Sequence, residues 1–173
     1  MRPQKKNLKT SPPLNMRAHF AQVLEKEMRH NSKIWIVTGD LGYKLWDNVR
    51  LKYPDRFINV GAAEQAMVGV GVGLALSGQI PFLYSITPFL LYRPFETLRN
   101  YVHYEKIPVK LIGSGRDRDY ATEGISHWAE EDRELMKLLP NIQAYWPNSF
   151  AEVTKLITKM VKQPKPFYVN LRK

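Results

Sequence analysis

Between Phe57 and Tyr92 the only charged side chain is Glu64, although the chain as a whole is 24% charged. It lies in "FINVGAAEQAMVGVGVGLALSG", at the head of a run whose pattern predicts a helix over 63–77. Residue type gives two readings. A glutamate at a helix start is stabilised by the N-terminal dipole and serves as a cap. A carboxylate in apolar surroundings has its charged form disfavoured, which suits it to sharing a proton with a weakly basic partner. Taken alone, the residues leave both open.

The same stretch contains "GVGVG" (69–73), which fails as a dinucleotide fingerprint. Counted from Gly69 or Gly71, the last glycine of G-x-G-x-x-G falls on Leu74 or Leu76, and the run sits inside a helix instead of at a strand-to-helix turn. There is no P-loop pattern and no G-x-S-x-G elbow, and histidines 19, 30, 103 and 127 lack metal-ligand spacing. The loop "GSGRDRDYATEG" (113–124) reads as solvated, with phosphate binding as the alternative. Each glycine inside a helix costs about 1 kcal/mol relative to alanine, so packing must offset Gly69, Gly71 and Gly73. Ala62, Ala66, Gly69, Gly73 and Ser77 recur at steps of three and four, a stripe of small side chains on one face. Such a stripe admits a close backbone, either from the same chain or from a partner.

Six short runs rich in β-branched and aromatic residues position these groups. Strands are expected at 33–39, 57–60, 80–85, 108–114, 141–147 and 166–171. Helices are expected between them, at 16–29, 63–77, 88–104, 130–139 and 149–162. The alternation predicts a three-layer α/β domain over 14–173, with a mostly parallel six-stranded sheet and helices on both faces. Sites in such sheets gather where strands end and loops begin, here after Val37, Val60, Tyr84, Ile112 and Tyr145.

A chain of 173 residues with 44% hydrophobic content fits one globular domain. The absence of cysteine excludes disulfides and thiolate metal sites and fits a reducing, cytoplasmic setting. The longest apolar run, Ala66 to Leu76, falls short of the roughly 20 residues that a membrane helix needs. The formal charge of +10 raises nucleic-acid binding. Arg2, Lys5, Lys6 and Lys9, however, gather in residues 1–13 beside Pro12 and Pro13. That segment predicts a flexible basic tail, and no nucleic-acid motif follows it. Neither a nucleic-acid nor a membrane partner is expected.

In order, "GDLG" (39–42), "PDRFINVGAAEQAMVGVGVGLALSG" (54–78), "TPFLLYRPFETLR" (87–99) and "EGISHWAEEDRELMKLLPN" (123–141) resemble the pyrimidine-binding domain of transketolase-like enzymes that depend on thiamine diphosphate. The resemblance spans roughly Arg17 to Arg172 and is closest to split transketolases, whose halves are separate polypeptides. It implies the thiamine-diphosphate-binding fold and gives Glu64 a role. The family's glutamate hydrogen-bonds a ring nitrogen of the cofactor's aminopyrimidine and favours the imino tautomer that removes the thiazolium C2 proton. By the same resemblance Asp40 lies beside the cofactor, Phe89 packs on the aminopyrimidine face, and Tyr92 and Arg93 are its neighbours. His127 faces substrate and assists catalysis, and Arg17 grips a phosphate. Arg93, Glu96 and Arg99 are also spaced for ion pairing along one helix face.

Departures from the family pattern bear on the substrate. Glu123 stands where transketolases carry an aspartate that reads a substrate hydroxyl. Lys44 replaces a phosphate-binding serine, Trp146 an arginine, and Trp128 a small or polar residue. These exchanges point away from the usual sugar phosphate while leaving a sugar or ketone substrate and ketol transfer in place. The family's diphosphate and Mg²⁺ site is a G-D-G…N motif on another domain. This chain has no G-D-G and stops at "PFYVNLRK", where the pyrimidine domain ends. The resemblance therefore implies a partner subunit of the transketolase N-terminal type, which holds the diphosphate and ligates Mg²⁺. This chain ligates no metal and joins a homo-oligomer or heterotetramer. The expected activity is transfer of a two-carbon ketol unit. The alternatives are a thiamine-dependent decarboxylase or dehydrogenase subunit, or a non-catalytic interaction module that keeps the fold.

Overall fold

The computed structural model describes residues 15–173; the basic tail expected over residues 1–13 lies outside them. The apolar runs form strands β1 (Ile34–Thr38), β2 (Phe57–Asn59), β3 (Ile80–Ile86), β4 (Lys110–Ser114), β5 (Gln143–Tyr145) and β6 (Phe167–Leu171). They make one sheet in the order β2-β1-β3-β4-β6-β5, and every neighbouring pair is parallel. The helices are α1 (Met16–His30), α2 (Asp47–Lys52), α3 (Glu64–Leu76), α4 (Thr87–Tyr92), α5 (Phe95–Thr97), α6 (Asp132–Lys137) and α7 (Phe150–Lys162).

A parallel sheet must be covered on both faces, and alternation along the strands divides the labour. Ile34, Ile36, Phe82, Tyr84 and Val169 pack in one core with Phe20 and Leu24 of α1 and Val153 and Ile157 of α7. Val37, Leu83, Leu111 and Tyr168 join the other core, with Met67 and Val72 of α3 and Leu90 of α4. The expected three layers are therefore present. The Asn15 side chain accepts from the Ala18 amide, and the Ser149 hydroxyl from the Glu152 amide. Each fills one of the donors that a helix start leaves unpaired.

Two local differences from expectation have physical causes. The helix expected over 88–104 is broken after Tyr92 because Pro94 brings no N–H and disfavours a continuous α-helix. The chain resumes as α5 and then as a π-helical turn over Leu98–Tyr104, with the Glu105 amide reaching back to the Asn100 carbonyl. Helix α2, which sequence periodicity did not suggest, is only two turns long and is held by buried Val49 beside Trp46.

Strand order places the functional end. From β1 the chain moves outward to β2, then returns past β1 to β3 on the other side. The crevice beyond the carboxyl ends of β1 and β3 is therefore a topological switch point, where ligands bind in open α/β sheets.

Candidate active site at the carboxyl ends of the strands

Glu64 is the first residue of α3 and lies in this crevice, only 2% exposed. It does not cap the helix: the N-cap is Ala63, which makes no side-chain bond. Ser85 Oγ, at the end of β3, instead donates to Glu64 Oε1 at 3.2 Å, and Arg93 Nη1 donates to Oε2 at 2.7 Å. The apolar run thus delivers the carboxylate to a pocket with two polar donors, one of them the first charged residue beyond the run. Gly39, just after β1, leaves the room it needs, since a Cβ there would stand 3.3 Å from both Glu64 Oε1 and the Gly61 carbonyl.

Arg93 turns back over the ring of Phe89, its guanidinium carbon 3.9 Å from the ring centroid. Phe89 meets His127 edge-on at 4.9 Å, and His127 lies 6.0 Å from the ring of Tyr120. The Tyr120 hydroxyl in turn accepts from Arg17 Nη1 at 3.0 Å and pairs with Ser114 Oγ at 2.9 Å. Glu64, Arg93, Phe89, His127 and Arg17 therefore form one continuous line of contacts across the strand ends, closed by Tyr120. Ser126 Oγ lies 3.0 Å from His127 Nδ1 and fixes the ring from the other side.

Asp40 follows Gly39 with φ +59°, in the left-handed region that a non-glycine residue rarely adopts. Asn59 Oδ1 accepts from the Asp40 amide at 2.8 Å and from the Gly61 amide at 3.0 Å, tying the β1 and β2 loops together. Hydrogen bonds from the Tyr43 hydroxyl and then the Asn59 amide hold the Asp40 carboxyl below its ordinary pKa. The same bond raises that of Tyr43.

Arg17 and Lys44 line an adjacent cleft of about 610 Å³, together with Tyr43, Tyr84, Ser114 and Tyr120. Arg17 Nε is buried there without a partner, a donor turned to a cleft able to take an anionic group. Burial raises the Tyr84 hydroxyl pKa, which keeps it protonated as a donor.

The remaining expected residues lie apart from this line. The Tyr92 hydroxyl donates to Glu131 Oε2 at 3.1 Å; burial and then that carboxylate push its pKa up to about 12. Glu123 is exposed at the rim, accepts from Thr122 Oγ1 at 2.7 Å and lies 3.6 Å from Lys173 Nζ. The ion pairing suggested by the spacing of Arg93, Glu96 and Arg99 is absent, because Arg93 reaches Glu64, and Arg99 reaches Asn100 and the ring of Tyr104.

Sequence reasoning missed a buried polar network behind the His127 loop. Asp132 Oδ2 accepts from Trp146 Nε1 at 2.7 Å, Tyr168 OH at 2.7 Å and Asn170 Nδ2 at 2.6 Å. Trp146 is thus committed to Asp132 and does not open the bulkier pocket that its exchange suggested. The loop after β4 is also less solvated than expected. Its Arg116 is 2% exposed and donates to the Pro147 and Asn170 carbonyls and to Asn148 Oδ1, which leaves that guanidinium committed within the chain. An antiparallel bridge between Asp117 and Ala129 closes the loop. The signal within reach was "EED" in "HWAEED", where one carboxylate had to face inward at the start of α6.

The glycines of α3 separate by environment. A Cβ on Gly71 would stand 2.7 Å from Leu83 Cδ1, whereas one on Gly69 or Gly73 would meet nothing within 4 Å. Ala62, Ala66, Gly69, Gly73 and Ser77 are all exposed, so the small-residue stripe is not packed against the described part of this chain. Leu76, beside it, is 71% exposed. Among the described residues no three His, Asp or Glu side chains gather as metal ligands, and no helix is long and apolar enough to cross a membrane.

The sequence profile described as "Transketolase, pyrimidine binding domain" matches residues 12–173. One of the two subunits of an apulose-4-phosphate transketolase from Actinobacillus succinogenes is 34% identical over 120 residues, covering 69% of this chain and 39% of that protein. A 6-deoxy-6-sulfo-D-fructose transketolase subunit of a Clostridium species is 33% identical over 118 residues, covering 68% of this chain and 37% of that protein. Among solved structures, a split-gene transketolase described as an inactive beta4 tetramer superimposes with a TM-score of 0.81 at 32% identity. That match covers 91% of this chain and 50% of the other. The chain thus spans half or less of the length of these relatives.

Proposed function

The chain belongs to the transketolase pyrimidine-binding domain family, and from that premise we propose that it is the pyrimidine-binding part of a split, thiamine-diphosphate-dependent transketolase-like enzyme. Its domain is taken as residues 14–173. The observation that carries the reading is Glu64, a buried carboxylate at the switch point that caps nothing and faces an aromatic ring through Arg93. The groups around it fit an aminopyrimidine. Arg93 already presents a planar, N–H-bearing group to the carboxylate and to the Phe89 face, the two contacts such a ring requires.

Thiamine diphosphate, when bound, supplies the electron sink for breaking a carbon–carbon bond beside a carbonyl. Glu64 Oε2 takes a hydrogen bond from the ring nitrogen and holds the shared proton there, while Ser85 fixes Oε1. Phe89 orients the ring, and His127, held by Phe89 and Ser126, faces the reacting carbons of a sugar or ketone. Arg17 and Lys44 take the substrate's anionic end in the neighbouring cleft. Asp40 braces the β1 loop beside the cofactor, with Tyr92, Arg93 and Glu123 around the mouth. A ketol unit is the group transferred.

Nothing in the described residues resembles a site for diphosphate and a hard dication, which needs several oxygen ligands. A partner subunit carrying the diphosphate-binding domain supplies it, together with Mg²⁺. The exposed, charge-free stripe of α3 is the surface that receives the partner. The relatives named as subunits and the split-gene tetramer support this reading. Mixing tests it: ketol transfer with thiamine diphosphate is expected only when the chain is combined with a diphosphate-binding subunit. Turnover by the purified chain alone overturns it.

A further inference from the structure

Arg93 occupies an unusual position. Its guanidinium donates to Glu64 Oε2 at 2.7 Å while its face covers Phe89 at 3.9 Å. A guanidinium is planar, carries N–H donors along its edge and stacks on aromatic faces. It therefore makes from within the chain both contacts that the proposed function assigns to the aminopyrimidine ring: an edge to the carboxylate and a face to the phenyl ring. One carboxylate oxygen and one ring face cannot serve both groups at once. We propose that Arg93 is an internal placeholder for the cofactor's aminopyrimidine, and that cofactor binding requires its guanidinium to leave Glu64 and Phe89.

The local structure lets it leave. Arg93 ends α4 and is followed by Pro94, so its backbone is held while its side chain, 47% exposed, reaches solvent by rotation. Glu64, by contrast, is enclosed: its side chain is 1% exposed, and Ser85 keeps the other oxygen. Only one partner of the pair can move. When Arg93 covers it, Glu64 has a charged partner and is shielded from water. When Arg93 swings out, the carboxylate is left with an unfilled acceptor that a ring nitrogen satisfies. The placeholder thus keeps the buried carboxylate paired until the cofactor arrives, while competing with it.

This inference rests on the thiamine diphosphate reading, and its test separates the two. The full-length chain is titrated with thiamine as the probe, and binding is followed by NMR chemical shifts and calorimetry. Circular dichroism confirms that each variant is folded. Competition with a half-exposed ion pair and its stacking predicts that Arg93→Ala binds thiamine about fivefold more tightly than the unaltered chain. Arg93→Lys, which keeps the charge but loses the plane, falls between them. Glu64→Gln weakens binding both in the unaltered chain and when combined with Arg93→Ala. Equal or weaker binding by Arg93→Ala, with Glu64 still required, overturns the placeholder and leaves the cofactor reading standing. Absence of Glu64-dependent binding in Arg93→Ala removes the cofactor reading and the placeholder with it.

Discussion

The three glycines of α3 provide a test in which sign matters more than size. Replacing an exposed helical glycine with alanine stabilises by about 1 kcal/mol, because it removes backbone freedom from the unfolded chain. Gly69 and Gly73 have open space where a Cβ would go, so each substitution keeps this gain. At Gly71 the new methyl would stand 2.7 Å and 2.8 Å from the Leu83 δ-carbons, inside a core where Leu83 has no exposure. Overpacking of this kind costs about 1–3 kcal/mol, which cancels or exceeds the gain. The expected gap between Gly69→Ala and Gly71→Ala is therefore about 2 kcal/mol. In a domain of this size each kcal/mol moves Tm by roughly 2–4 °C. Thermal unfolding of the isolated chain should rank Gly69→Ala and Gly73→Ala above the unaltered protein, with Gly71→Ala at or below it. A rise at Gly71 equal to that at Gly69 would show that Leu83 does not close this face. A fall at Gly69 would show that the stripe is covered within the chain, which removes the docking surface assigned to a partner.

Further outcomes follow from the buried charges. Asp132→Ala leaves the Trp146, Tyr168 and Asn170 donors without their acceptor, and at about 1–3 kcal/mol per orphaned group it should lose at least about 3 kcal/mol in urea unfolding. A loss under about 1 kcal/mol would show that the network relaxes freely. Lys110 is drawn down to about 7 by burial, so above that pH the unfolded chain binds more protons than the folded one. Stability contributed by this site should accordingly rise with pH from about 7 toward the ordinary lysine pKa near 10.4, by at most about 1.4 kcal/mol per unit. Below pH 7 the dependence from this group vanishes. The rise, taken between about pH 7 and about pH 9 in the unaltered chain and in Lys110→Met, should disappear in the variant. An identical slope in both would contradict the assignment.

The sheet was legible because its strands are short β-branched runs bounded by glycine, proline and asparagine, and because helices alternate between them. The helix break at Pro94 was written in the sequence but was overridden by the apolar period on either side of it. The site was legible in part. Glu64 stood out because it is alone in an apolar run, yet its partner Arg93 lies 29 positions away and local spacing offered Glu96 instead. The Asp132 network joins residues 14 to 38 positions apart, across α6 and two strands. Pairings of that range are set by strand order, which no local pattern encodes. The stripe on α3 could be counted from the sequence, but whether it faced the sheet depended on helix rotation, which Gly71 and Leu83 decide.

The Glu64 carboxylate is central because it is proposed to hold a proton for the cofactor ring. Its most direct test is Glu64→Gln in the complex reconstituted with a diphosphate-binding subunit, reading turnover and assembly side by side. The amide keeps the size and the hydrogen-bonding edge but cannot take up the shared proton. Turnover is predicted to fall by about 10²-fold or more, the scale of a lost proton-transfer group, while the subunits assemble as before. Turnover that survives the substitution, or assembly that fails with it, would contradict this role for Glu64.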